Sequence, residues 1–167
     1  SKIFNEKLLQ LSKLKTIILR PHNIYGPRMG LSHVIPELIV KILKEQKKST
    51  KSTTVFSPSH KRAFCFIDDA IKQIVLLARK KNLKRQIYNI GNMKEEIKMF
   101  NLAKKIRKLV FNKAKLKKGK ITEGSPPRRV PDMKRTLGEI EKIKFTNLDQ
   151  GLKITYNWYK KNEKKFN

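Results

Sequence analysis

Thr16-Ile17-Ile18-Leu19 is a short continuous apolar run of the kind that forms a strand buried on both faces. Directly after it comes Arg20-Pro21-His22-Asn23-Ile24-Tyr25-Gly26-Pro27, where two prolines and a glycine end the strand in a turn-rich loop. A loop at the carboxyl end of a parallel strand is where open α/β sheets bind ligands. This junction therefore constrains both the fold and the place of a site. The rest of the chain keeps alternating. Val34, Ile35, Leu38, Ile39, Ile42 and Leu43 trace an amphipathic helix that runs into the mainly cationic stretch Lys44 to Lys51. Thr53 to Phe56 and Arg62 to Ile67 read as strands separated by the turn Ser57-Pro58-Ser59-His60. Asp68 and Asp69 stand at the start of the next helix, where carboxylates favour the positive end of the dipole or cap it.

A strand over 86–90 closed by Gly91, a helix through Leu102, Ile106, Leu109 and Val110, a shorter helix over 132–143 and a last helix from Leu148 to Tyr159 complete the order. Upstream, Ile3, Phe4, Leu8, Leu9 and Leu11 mark one face of a helix already under way at the first residue. Strands alternating with helices predict an α/β fold rather than a bundle.

The chain has 167 residues, the length of about one domain. Its 38% apolar content allows a real core. No run reaches the roughly 18 apolar residues of a membrane span, so no membrane partner and a cytoplasmic location are expected. The one cysteine, Cys65, excludes an internal disulfide. It alternates with Phe64 and Phe66 and reads as a small buried hydrophobe. His33 and His60 lack a metal-ligand partner at usable spacing, and no metal is implied. The formal net charge of +28 first points to a polyanion. Yet 32 of the 41 cations are Lys and only 9 are Arg, whereas base readout and bidentate phosphate gripping favour Arg. The Lys are scattered, as solvated surface lysine would be, and no specific nucleic acid is expected. A basic nucleic-acid-binding protein stays as the competing class.

Segments in order along the chain resemble the carboxyl-terminal half of the NAD-dependent epimerases and dehydratases of the extended short-chain dehydrogenase/reductase family. Ser1-Lys2 followed by Glu6 is similar to the end of that family's Tyr-x-x-Ser-Lys helix. Leu19 to Arg28 resembles its strand-to-loop signature, and Arg62-Ala63-Phe64-Cys65-Phe66-Ile67-Asp68-Asp69-Ala70 its Arg-x-Phe-x-x-Val-x-Asp segment. Tyr88-Asn89-Ile90-Gly91-Asn92, Arg128-Arg129-Val130-Pro131-Asp132 and Gly151-Leu152 with Trp158-Tyr159 complete the pattern. The resemblance implies the C-terminal part of a doubly wound Rossmann-type sheet plus a smaller substrate-binding domain. Residues 1–30 would end the NAD-binding part and 31–167 would form mainly the nucleotide-sugar part, with 62–90 returning to the sheet.

It also implies an activity: epimerisation, dehydration or decarboxylation of a nucleoside-diphosphate sugar, UDP-sugars foremost, through transient oxidation at C4 by NAD. UDP-glucuronate decarboxylases and UDP-sugar 4-epimerases are the subgroups favoured by the loop wording. Lys2 would hold the nicotinamide ribose and favour the phenolate of a catalytic Tyr. Pro21 and His22 would flank the nicotinamide, and Arg28 would reach a phosphate or close the loop. Asn23 and Arg62 would hold the substrate diphosphate, together with Arg128 or Arg129, between which the sequence does not choose. Arg62 has a second reading as an ion-pair partner of Asp69, and Tyr25 one as a packing residue. The first helix would help form a homodimer. The catalytic Tyr would lie three residues before Ser1, and no G-x-x-G-x-x-G or G-x-G-x-x-G occurs. A fragment, a truncated product or one piece of a split protein is expected, inactive alone; a decayed remnant is the third possibility.

Overall fold

The structure, a computed structural model, describes residues 2–12, 14–48, 52–83, 86–140 and 142–165. In chain order these form α1 (Lys2–Leu11), β1 (Ile18–Pro21), β2 (Ile24–Tyr25), α2 (Val34–Lys48), β3 (Thr53–Val55), β4 (Lys61–Ala63) and β5 (Cys65–Phe66). There follow α3 (Ile67–Arg79), β6 (Ile87–Ile90), β7 (Glu96–Lys98), α4 (Met99–Val110), β8 (Leu116–Lys118), β9 (Arg128–Arg129), α5 (Lys134–Glu139) and α6 (Leu148–Lys161). Among the described residues no helix is long and apolar enough to cross a membrane. Ser1 of the Ser-Lys pair and the end of the cationic run, 49–51, lie outside the described residues.

The apolar run yields β1 two residues later than expected and buried only at Ile18, with Ile17 left exposed; β1 pairs in parallel with β6 from Ile18↔Ile87 to Pro21↔Ile90. Parallel strands need a crossover, and the chain between them carries α2 and α3. The strand expected over Arg62 to Ile67 is broken in two. β4 lies between antiparallel β7 and parallel β9, whereas β5 pairs with β2. Asn23 makes the break: its Nδ2 donates to Ala63 O at 2.9 Å and its own carbonyl accepts from Cys65 N at 3.2 Å.

The alternation at 64–66 then separates two cores. Phe64 and Phe66 enter the larger, built by Ile35, Ile39 and Ile42 of α2, Leu102 and Ile106 of α4, and Leu152 of α6. Cys65 enters the smaller with Leu77, Tyr88 and Ile90. It is fully buried, as expected, and burial pushes its thiol up to about 12.

Three expectations change. Asp68 and Asp69 do stand in the first turn of α3, but neither caps it. Asp69 is buried and accepts from Thr146 N at 2.7 Å and Thr146 Oγ1 at 3.1 Å, which also removes it as a partner of Arg62. The helix expected over 132–143 shrinks to α5, because Asp132 accepts from Lys134 N as a turn and Ile140 is already extended and buried. β7, β8 and β9, which the sequence does not announce, are short and polar, with none of the apolar alternation that marks a half-buried strand. α6 starts as expected at Leu148, capped by Asn147 Oδ1 accepting from Gln150 N at 3.1 Å.

Candidate functional site

The carboxyl ends of β1 and β6 lie side by side, and the chain leaves each in a sharp turn. His22 N donates to Ile90 O at 2.8 Å, extending the ladder by one bond before the loop departs. Gln73 of α3 clamps the other strand: its Nε2 donates to Gly91 O at 3.0 Å and its Oε1 accepts from Gly91 N at 3.1 Å. A Cβ on Gly91 would stand 3.1 Å from Pro131 Cγ and 3.5 Å from His22 Cβ, so a side chain here would press on the Arg128–Asp132 segment that closes over this end. Asn89 Nδ2 donating to Asp132 O and Thr136 Oγ1 donating to Asn89 O hold that segment down.

Asn23 and Arg28 both take left-handed backbone conformations, φ 45° and 62°. Asn tolerates this region and Arg does so at a cost, a pattern that gathers at functional loops. The loop is anchored by Tyr25, buried edge-on against Phe64 and Phe66. Its reading as a packing residue holds, and burial raises its phenol well above the ordinary value.

β9 decides between the two neighbouring arginines by strand geometry. β4 and β9 are in register with Lys61↔Arg128 and Arg62↔Arg129, and residues paired across a ladder share a face. Arg128 therefore lies on the Lys61 face, where it forks onto Glu96 with Nε and Nη2 donating at 2.9 and 3.0 Å. Glu96 is held below the ordinary carboxylate range by that bond. Arg129 lies on the Arg62 face. Among the described residues neither Arg62 nor Arg129 pairs with a carboxylate.

His22 faces both arginines. Burial, then the charge of Arg129, then that of Arg62 hold its imidazole below its ordinary pKa. Its Nδ1 is buried with no hydrogen-bond partner. Arg62 too is held below its ordinary value, first by burial and then by Arg129. Three cationic or protonatable groups thus converge with nothing negative recorded among them, an arrangement that an anion relieves.

The remaining sequence candidates are spread. Pro21 is exposed at the end of β1 and Arg28 is exposed on the loop. Lys2 is exposed at the start of α1, which is tied to β1 by the ion pair of Glu6 with Arg20. α1 buries none of its residues, and Ile3, Phe4, Leu8 and Leu11 stay exposed. The structure brings His22, Asn23, Arg62 and Arg129 together, sets Arg128 on the opposite face, and records no contact between Lys2 and that cluster. Gln73, Glu96 and Ser125 were missed. Each acts through a partner at least 18 positions away in sequence, so no local pattern points to them.

A family model described as "NAD dependent epimerase/dehydratase family" matches residues 1–91. A dTDP-D-glucose 4,6-dehydratase of Dictyostelium discoideum is 34% identical over 94 residues, 56% of this chain and 20% of that protein. GDP-L-fucose synthase 1 of Arabidopsis thaliana is 30% identical over 150 residues, 85% of this chain and 45% of that protein. A UDP-glucuronic acid 4-epimerase from Bacillus cereus, solved with UDP-glucuronic acid and NAD, superposes with a TM-score of 0.81 at 22% identity, covering 96% of this chain and 50% of that one. At that identity the likeness shows the fold, a Rossmann-type α/β architecture. The chain spans half or less of the length of each of these proteins.

Proposed function

The chain belongs to the NAD-dependent epimerase/dehydratase family, and on that premise we propose that it supplies the nucleotide-sugar-holding part of an enzyme that epimerises, dehydrates or decarboxylates a nucleoside-diphosphate sugar, most readily a UDP-sugar. The observation that carries this is the in-register pair Arg62 and Arg129, free of recorded carboxylate partners and faced by the buried, unpartnered Nδ1 of His22. Guanidinium forks match the oxygen pairs of a diphosphate, and a dianion between them offsets their mutual repulsion. Asn23 commits one of its two amide N–H groups to Ala63 O, and with that bond it shapes the loop beside the diphosphate. Arg128 is spent on Glu96 and stays outside the clamp.

The residues present fit one edge of NAD. Exposed Pro21, the orphaned Nδ1 of His22 and the left-handed turn at Asn23 and Arg28 offer a surface for the nicotinamide end, with Lys2 in the role of ribose holder. His22 would meet it with its ring and carbonyl, since its amide N–H is used by Ile90. When bound, NAD supplies reversible hydride acceptance from the sugar. This chain's own share is to orient the sugar nucleotide and to keep His22 neutral at the clamp. A homodimer through the exposed apolar face of α1 belongs to the same proposal.

Calorimetric titration of the chain with UDP-glucuronic acid, UDP-glucose and dTDP-glucose tests it. Saturable binding of at least one, abolished by Arg62→Ala and Arg129→Ala together, is expected. Absence of binding to all three, or binding indifferent to the double substitution, rejects the assignment.

A further inference from the structure

Arg62 is aimed by a loop as well as by its strand. The segment from Gly119 to Arg129 is fastened along the turn that leads from β3 to β4. Gly119 N donates to Val55 O at 2.9 Å, Ser57 N to Lys120 O at 3.0 Å and Thr122 N to Ser57 Oγ at 2.9 Å, while Lys61 N reaches Pro127 O at 2.8 Å. Ser57 adopts φ 47°, a conformation that a non-glycine residue takes only when its surroundings hold it there. Pro126 and Pro127 fix two φ angles just before β9, so the segment arrives at Arg129 with little freedom.

At the centre of this strap Arg62 Nη2 donates to Ser125 Oγ at 2.8 Å, and Nη1 donates to Lys61 O at 2.8 Å. Behind the serine, His60 is buried with Nδ1 3.4 Å from the same Oγ. The hydroxyl accepts from the guanidinium and sits between it and the buried imidazole of His60, within hydrogen-bond distance of both. Two of the five guanidinium N–H groups are thereby used to lock the fork, which leaves three for an anion.

We propose that Ser125, backed by His60, is a positioning residue that presets the Arg62 guanidinium, and that the 119–129 strap joins Arg62 and Arg129 into one clamp for the diphosphate of a nucleoside-diphosphate sugar. This rests on the function proposed above. A rotamer-rich side chain fixed before the ligand arrives loses less freedom on binding, so the device appears in affinity for the diphosphate and not in stability.

The test is titration of UDP and UMP into the parent chain, Ser125→Ala and Ser125→Thr, with a thermal melt of each. Loss of one hydrogen bond to a charged group corresponds to about a tenfold effect. Ser125→Ala is expected to lower the preference for UDP over UMP about tenfold at an unchanged melting temperature, and Ser125→Thr to restore it. An unchanged preference in Ser125→Ala overturns the proposal, as does an equal loss for UDP and UMP accompanied by a lower melting temperature. If the parent itself fails to bind UDP, the proposed function falls and the strap's role falls with it.

Discussion

Replacing Gly151 by alanine should destabilise the chain even though alanine is the better helix former. Gly151 lies in the second turn of α6, directly over the ring of Tyr25. A Cβ there would stand 2.1 Å from Tyr25 Oη, 2.8 Å from Cζ and 3.0 Å from Phe66 Cδ2. Tyr25 is only 2% exposed and is held by ring contacts to Phe64 at 6.2 Å and Phe66 at 5.6 Å, so it cannot swing away. Overpacking of this kind costs about 1–3 kcal/mol. Loss of the bond from Tyr25 Oη to Leu148 O, 3.4 Å, adds about 1 kcal/mol. The gain in helix propensity returns about 1 kcal/mol.

The net is a loss of about 1–3 kcal/mol, which for a chain of this size lowers the melting temperature by roughly 2–12 °C. Urea unfolding of Gly151→Ala, Tyr25→Phe and the double variant measures it. Tyr25→Phe alone should cost under about 1 kcal/mol, and in the double variant it should recover part of the loss by removing the atom at 2.1 Å. Gly151→Ala at or above parental stability would refute the close approach of α6 to the site loop.

Arg129→Ala should weaken UDP binding by at least about tenfold, whereas Arg128→Ala, which only frees Glu96 on the opposite face, should leave it within about twofold by calorimetry. Asp69→Ala leaves Thr146 N and Oγ1 without their acceptor and should cost about 1–3 kcal/mol in urea unfolding. His22 has a folded pKa below its ordinary 6.5, so the fold favours the neutral ring; that contribution is complete above 6.5 and is lost as pH falls toward the folded value. NMR titration should show the depressed value in the free chain and a rise when UDP offsets the charge of Arg129 and Arg62. Glu6 is held below its ordinary 4.5 chiefly by the bond from Arg20, so the tether of α1 is intact above that pH and loosens as pH falls through the folded value, visible as faster amide exchange in α1.

The strand at Ile18, the loop after it and the helix faces of α2, α4 and α6 were legible because apolar spacing and chain-breaking residues are local signals. The alternation of Phe64, Cys65 and Phe66 was equally legible, but not the break beside it, which Asn23 imposes from 40 positions away. The choice between Arg128 and Arg129 needed the register of a two-residue strand, and a sequence of two adjacent arginines holds no register. Asp69 looked like a helix-start carboxylate because its true partner, Thr146, is 77 positions distant. Ser125 in a Pro-rich loop carries no mark at all until Arg62 is seen to lean on it.

A crystal structure of the chain with UDP tests the central claim most directly. The diphosphate is expected between Arg62 and Arg129, on the face of the three-stranded sheet where β7 presents Ile97, within reach of His22 and with the Arg128–Glu96 fork undisturbed. UDP seated on the Arg128 face, or ordered elsewhere with Arg62 and Arg129 left without an anion, would contradict it.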